Sequence, residues 1–317
     1  MARHIAPDLT DRASAQPAVT RPLAVNLLLS VRPEQWTKNL FVLGPLMFGQ
    51  RLLDTASVLK ALAAFAIFCA LSGVVYLIND VADREADRRH PIKKRRPIAS
   101  GALSVPAALA AAAVLTAIAV PSAFLVRPQF GILAVSYLAL LAVYSGPLKH
   151  AVIIDVLTIA IGFVLRAAAG ALAIGVAVSH WLYVLIMLLA LFLALSKRRH
   201  EIVLLADGAT GHRRILEEYS PYLLDQMIAV VTASTIVAYA FYTISPETVA
   251  KFGSDLLGLT LPFPLYGIFR YLYLVHKKEG GGSPADMLLT DRPLLICVGL
   301  WAAVVALIIY SPALEGL

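Results

Sequence analysis

Long apolar runs, repeated along the whole chain, constrain this sequence more than any other feature. Stretches of about 20 residues with few charges recur at roughly 23–50, 57–82, 103–126, 129–147, 151–175, 180–200, 223–245, 255–276 and 293–310. A backbone in hydrocarbon must satisfy its own amides, which leaves helices or closed barrels. Helices need about 20 residues to cross a bilayer, whereas barrel strands need about 10 and alternate strictly. These runs are too long and too weakly alternating for strands. The expectation is an all-α, polytopic membrane bundle of about nine transmembrane helices. Composition agrees, with 59% hydrophobic and 15% charged residues against about 25% charged in soluble domains.

Residues 1–21 are polar, irregular and without an apolar leader, so they read as a disordered cytoplasmic N-terminus ahead of one transmembrane domain, 22–312. The first run is interrupted by Arg32-Pro33-Glu34-Gln35-Trp36-Thr37-Lys38-Asn39, read as an amphipathic interfacial segment with Trp36 at headgroup depth. Cations follow the even-numbered runs: Arg84, Arg88, Arg89 and 93–96 after the second, Lys149 after the fourth. Lys197, Arg198, Arg199, Arg213 and Arg214 follow the sixth, and Lys277, Lys278 and Arg292 the eighth. The other side carries scattered cations such as Arg51, Arg127 and Lys251. The positive-inside bias then puts the basic loops in the cytoplasm and the C-terminus outside.

The net charge of +7 belongs to these loops and gives no argument for nucleic acid. Cys69 and Cys297 lie within apolar runs and read as packing residues; there is no disulfide framework. Gly280-Gly281-Gly282-Ser283 reads as a flexible turn with no phosphate-cradling role.

Where the second run meets its basic loop stands Asn79-Asp80-Val81-Ala82-Asp83-Arg84-Glu85-Ala86-Asp87. On a continuing helix the three aspartates fall at i, i+3 and i+7, on one face. At 1.5 Å per residue they span about 10 Å, which suits Mg²⁺, or Mn²⁺, bridging a diphosphate through oxygen ligands. The plainer reading pairs these acids with Arg84, Arg88 and Arg89 on a solvated helix end.

Other polar residues sit where lipid disfavours them. Asp155 opens the fifth run and Arg166 lies at its middle, on the same face. Arg166 is open to two readings, an interhelix ion pair or a substrate-phosphate contact, and Asp155 is within sequence reach of Lys149. Tyr144-Ser145-Gly146-Pro147-Leu148-Lys149 breaks the fourth run and directs Lys149 to the vestibule. Lys197, Arg198 and Glu201 close the sixth run; as a plain topogenic stop they need no further role, but facing Asp80 and Asp83 they would make a bipolar site. Lys38, Arg95 and Arg96 extend the same positive wall. The histidines show no metal-binding spacing, and nothing resembles a Ser/His/Asp triad.

Asn79-Asp80-x-x-Asp83-x-x-x-Asp87 in a nine-run chain resembles the UbiA superfamily of intramembrane prenyltransferases. Arg32-Pro33-x-Gln35-Trp36-x-Lys38-Asn39 and Asp87-Arg88-x-His90-Pro91-x-Lys93-x-x-Arg96-Pro97 are similar to its decaprenyl-phosphate phosphoribosyltransferase branch. Leu148-Lys149-His150 with Asp155, Leu165-Arg166-Ala167 with Gly170, and Lys197-Arg198-x-x-Glu201 extend the likeness from about 30 to 300. The aromatic branch has a second acidic motif near the sixth span, where this chain is basic apart from Glu201. The resemblance implies Mg²⁺-dependent transfer of 5-phosphoribose from 5-phosphoribosyl 1-diphosphate to a polyprenyl phosphate, for an arabinan or related envelope glycan.

It also implies site residues. Asn79, Asp80, Asp83 and Asp87 would hold the metal, and the three aspartates with Lys197 and Arg198 would be catalytic. Gln35, Lys38, Asn79, Arg95, Arg96, Tyr144, Lys149, Asp155, Arg166 and Glu201 would bind substrate. The expected setting is a bacterial inner membrane with a cytoplasmic site. Homo-oligomers are left open through small-residue faces such as Ala167-Ala168-Ala169-Gly170. The alternatives are an aromatic prenyltransferase using a polyprenyl diphosphate and, more remotely, an ion-coupled transporter.

Overall fold

The computed structural model describes residues 21–91, 93–206, 218–277, 287, 288 and 290–314. Residues 1–20, Arg213, Arg214, Lys278 and the Gly280-Gly281-Gly282-Ser283 turn lie outside these. The chain runs through α1 (Leu23–Ser30), a 3-10 segment (Pro33–Val42), α2 (Gly44–Phe48), α3 (Thr55–Ala82), α4 (Arg84–Arg89) and α5 (Pro97–Ser100). It continues with α6 (Val105–Val126), α7 (Pro128–Ser145), α8 (Ile154–Ile174), α9 (His180–Ala206) and α10 (Pro221–Ile244). Then come α11 (Pro246–Phe252), a 3-10 turn (Leu256–Thr260), α12 (Pro262–Lys277) and α13 (Arg292–Leu314). No strand occurs among the described residues.

Caps and prolines set the helix starts. Asp54 accepts from Ala56 N at 3.2 Å, Ser104 from Ala107 N at 3.3 Å, and Ser220 from Leu223 N at 3.1 Å. Pro106, Pro128 and Pro221 sit at first or second helical positions, where a missing amide costs nothing.

Among the described residues, seven helices are long and apolar enough to cross a membrane: α3, α6, α7, α8, α9, α10 and α13. The expected count of nine is not confirmed. The first run breaks at Arg32, whose φ is 54°, and again near Gly44-Pro45; the eighth is a 3-10 turn followed by a 16-residue helix beginning at Pro262. Prolines remove amide donors at these breaks, and such backbone is tolerated at membrane depth where protein packs around it.

The helices α3 and α8 form the centre, with 56% and 61% of their most apolar windows buried; the other spans reach at most 39%. Phe68, Phe130 and Tyr137 pack α3 against α7, and Phe192 meets Tyr271 edge-on at 5.1 Å between α9 and α12. Trp301 Nε1 donates to Tyr239 Oη at 2.8 Å, tying α13 to α10. Between helices in lipid, such close packing and polar bridging replace the hydrophobic drive.

Two local expectations change. Trp36 does not sit apart at a headgroup surface: it shares an apolar groove with Phe65, Ala66, Cys69 and Ala70 in the middle of α3. The Ala167–Gly170 stretch is not an oligomer face either. Ala167, Ala169 and Gly170 are buried, and a Cβ on Gly170 would stand 1.9 Å from the Val42 carbonyl oxygen. The small residues admit the 3-10 segment against α8.

Candidate active site

The aspartate stretch keeps helical spacing although Asp83 marks a joint between α3 and α4. Asp83 N donates to Asn79 O, and Asp87 N to Asp83 O, both at 2.8 Å. Asp80 and Asp87 are buried, at 3% and 4% exposure, while Asp83 is exposed and Asn79 half-buried. The arginines expected as their plain partners lie elsewhere: Arg88 donates to Glu85 and to the Ala99 carbonyl, each at 3.0 Å. Instead Arg32 Nη2 donates to Asp80 Oδ1. Arg96 Nη1 spans both acids, at 3.1 Å from Asp80 Oδ1 and 2.6 Å from Asp87 Oδ2. The Arg32 guanidinium also lies over the Tyr76 ring, 4.7 Å from its centroid.

A second cluster of charges lies at the end of α9. Arg198, 3% exposed, donates from Nε to Asp155 Oδ2 at 3.1 Å and from Nη1 to Glu201 Oε2 at 2.8 Å. Glu201 Oε1 also faces Lys197 Nζ at 3.8 Å. Tyr219 donates to Asp155 Oδ1 at 2.9 Å and accepts from Ile153 N at 2.7 Å, pinning a residue with φ 68° at the start of α8. Burial, and then the Asp155 carboxylate it donates to, push the Tyr219 hydroxyl up to about 12, so it remains a donor at physiological pH. The pair of Lys149 with Asp155 that the sequence allows does not form among the described residues; Lys149 Nζ lies 4.0 Å from Asp83 Oδ1, so the turn after α7 and the acidic joint approach each other. Tyr144 is half-buried within electrostatic reach of Arg198.

Lys38 connects the two ends. It lies within electrostatic reach of Lys197, Arg166 and Arg32, and no carboxylate of the described residues bridges to it within 4.0 Å. Glu34 acts on it only from farther away. Such a grouping of cations favours an anion.

Arg166 is buried and has no ion pair among the described residues. Its Nε donates to Asn39 Oδ1 at 2.8 Å, its Nη2 to Tyr137 Oη at 2.6 Å and its Nη1 to Gly162 O at 2.9 Å. Ser72 Oγ lies 3.4 Å from Asn39 Oδ1 and 3.3 Å from Tyr137 Oη, and Asn39 Nδ2 donates to Cys69 Sγ at 3.3 Å. This buried network ties the 3-10 segment to α3, α7 and α8, next to Lys38.

The geometry therefore brings together Lys38, Asp80, Asp83, Asp87, Arg96, Tyr144, Lys149, Asp155, Lys197, Arg198 and Glu201 through contacts or electrostatic reach. Gln35 is half-buried and Arg95 exposed, with no side-chain bond between them and this set among the described residues. Sequence reasoning quoted Arg32 within a motif without giving it a site role, and passed over Tyr137 and Tyr219. An arginine forced out of helical conformation by the following proline was a signal for Arg32; no periodicity marks the two tyrosines.

A family model described as the UbiA prenyltransferase family matches residues 41–290. The decaprenyl-phosphate phosphoribosyltransferase of Corynebacterium glutamicum is 31% identical over 307 residues, 95% of this chain and 91% of that one. That of Mycolicibacterium smegmatis is 32% identical over 315 residues, 93% of this chain and 96% of its own. A solved UbiA homolog from Archaeoglobus fulgidus, bound to GPP and Mg²⁺, shares the fold with a TM-score of 0.67 at 19% identity, over 90% of this chain and 98% of that one. The multi-span helical architecture and the resemblance carried by Asn79 through Asp87 agree with these matches. By sequence and by fold, the chain is a multi-pass membrane protein that belongs to the UbiA prenyltransferase family.

Proposed function

We propose that this chain transfers the 5-phosphoribosyl group of 5-phosphoribosyl 1-diphosphate to a polyprenyl phosphate of the decaprenyl type. The observation that carries the reading is the cation group around Lys38, which lies within electrostatic reach of Lys197 at the end of α9 and of Arg32, the partner of Asp80. A site for one diphosphate needs acids and a metal; a donor with a further 5-phosphate, and an acceptor that is itself a phosphate, need added cations. The phosphoribosyltransferase relatives support the same chemistry. The C1–O bond to diphosphate breaks, its electron pair leaves with pyrophosphate, and a lipid-phosphate oxygen bonds to C1. The acceptor is already anionic, so positioning takes the place of a general base.

Asn79, Asp80, Asp83 and Asp87 are oxygen donors and suit Mg²⁺, with Mn²⁺ as a substitute. The fit is one of donor chemistry, since among the described residues no three acidic, imidazole or thiol groups are gathered for a metal. When bound, a divalent ion neutralises charge on the departing diphosphate. Lys38, Lys149, Lys197 and Tyr144 position the phosphates, with Gln35 and Arg95 at the margin. Arg198, Asp155 and Glu201 orient Lys197, and Arg166 holds the segment bearing Lys38. We place the site on the cytoplasmic face of a bacterial inner membrane, within one domain spanning 22–312, making a precursor for an arabinan-like envelope glycan.

The test is a pair of reactions with detergent-purified protein and Mg²⁺. One receives labelled phosphoribosyl diphosphate and polyprenyl phosphate, the other polyprenyl diphosphate and 4-hydroxybenzoate. Metal-dependent label in the lipid phase of the first, lost in Asp83→Ala, is expected. Product only in the second reaction would overturn the reading.

A further inference from the structure

We infer that Arg32 and Arg96 are donor-phosphate residues held in reserve: they neutralise Asp80 and Asp87 in the substrate-free protein and pass to the donor's phosphates when a divalent ion takes those carboxylates. The inference rests on the reading of these aspartates as metal ligands.

Two carboxylates this buried cannot both remain charged without a cation. Arg96 Nη1 supplies one at the midpoint, touching Asp80 Oδ1 and Asp87 Oδ2, and Arg32 converges on the same Asp80 oxygen. A divalent ion held by these two acids would have to displace this guanidinium nitrogen. The acids are sunk, at 4% and 5% side-chain exposure, whereas the arginine side chains remain 22% and 28% exposed, reaching in from the rim. Each arginine also precedes a proline at a break between helical segments. Arg32 is a non-glycine residue at φ 54° ahead of Pro33, and Arg96 is extended ahead of Pro97. A residue between two segments can swing without unwinding either one. Arg32 already lies within electrostatic reach of Lys38, so on release it joins the anion-binding side.

Competition of this kind has a thermodynamic signature. The apparent metal affinity is reduced by the fraction of molecules whose carboxylates are free. A ligand that draws off the guanidiniums must raise metal affinity, and metal must raise that ligand's affinity by the same factor.

Mn²⁺ binding to the purified full chain, read from the loss of the free-ion paramagnetic resonance signal beyond the loss the same donor concentration causes without protein, tests this with and without 5-phosphoribosyl 1-diphosphate. Wild type is expected to bind Mn²⁺ weakly alone and about tenfold more tightly with the donor. Arg96→Gln is expected to bind Mn²⁺ about tenfold more tightly than wild type without donor, to lose most of the donor's enhancement, and to show a raised donor KM. Arg32→Gln, changed on another segment, moves in the same direction and decides the matter if Arg96→Gln does not give a monodisperse protein. Unchanged or weaker donor-free Mn²⁺ binding in the folded variants, with wild type binding Mn²⁺, overturns the hand-over alone. Absence of Mn²⁺ binding by wild type even with donor overturns the metal reading beneath it.

Discussion

Replacing Arg166 by methionine should leave stability almost unchanged and yet disable the enzyme. Arg166 is 7% exposed, its guanidinium bonds to Asn39, Tyr137 and Gly162, and it has no carboxylate partner among the described residues. Placing an arginine at the centre of a membrane helix costs about 3 kcal/mol on insertion scales. Against this stand its three hydrogen bonds, to Asn39, Tyr137 and Gly162, each worth about 0.6 kcal/mol on average within a membrane protein. Removing it strands little, because Ser72 Oγ still reaches both Asn39 Oδ1 and Tyr137 Oη. The two sides nearly cancel, so the net change should stay within about 1–2 kcal/mol, or a few degrees in Tm for a chain of this size. The catalytic effect is different in kind. Asn39 loses its tie to α8, and Lys38 beside it loses its fixed position; a displacement near 1 Å can cost about 100-fold. Thermal unfolding in lipid nanodiscs, beside steady-state transfer kinetics, separates the two. A collapse in Tm with aggregated protein, or kcat/KM within about twofold of wild type, would refute this reasoning.

Three further outcomes follow from particular contacts. Asp155→Ala leaves Arg198 buried with Glu201 as its remaining carboxylate and strips Tyr219 of its acceptor, so unfolding should show a loss of about 3–5 kcal/mol, with Asp155→Asn milder. Gly170→Ala puts a Cβ against the Val42 carbonyl and must push the 3-10 segment away from α8; Gly258→Ala, with nothing within 4 Å, is the matched control, and transfer activity should fall only in the first. The bond from Arg270 holds the Asp291 carboxyl below the ordinary carboxylate range. That pair's contribution is complete above the ordinary value of about 3.9 and is lost as pH falls through the lower folded value. Asp291→Asn should therefore lower Tm at neutral pH and flatten its decline in acid, measured by unfolding scans across that window.

The helical class and the acid end were legible because each depends on local repetition. Apolar runs of bilayer length admit one kind of backbone, and Asp80, Asp83 and Asp87 declare a face by spacing alone. The span count was less legible. Hydropathy does not distinguish a whole helix from broken pieces of equal apolarity, and it carries no sign of the φ of 54° at Arg32, whose side chain reaches Asp80 and Tyr76 on α3. Partner choice was least legible. Arg84, Arg88 and Arg89 are near the aspartates in sequence, yet Arg32 holds Asp80 across 48 positions, and Arg166 bonds Asn39 across 127. Periodicity on one helix gives no information about which helix stands opposite.

The charges left over after pairing narrow the chemistry further than the aspartate motif can. Among the described residues of the site, Arg32, Lys38, Arg96, Lys149, Arg166, Lys197 and Arg198 stand against Asp80, Asp83, Asp87, Asp155, Glu201 and, at longer range from Lys38, Glu34, still an excess of positive charge. A divalent ion at the aspartates would increase that excess. A site built for a neutral aromatic acceptor and a single diphosphate has little use for it, since unpaired cations at membrane depth are costly. Substrates that bring a diphosphate, a sugar phosphate and a lipid phosphate to one chamber supply the missing anions. Lys38, which has no carboxylate within 4.0 Å among the described residues, is then a group whose counter-charge is expected to arrive with the substrates.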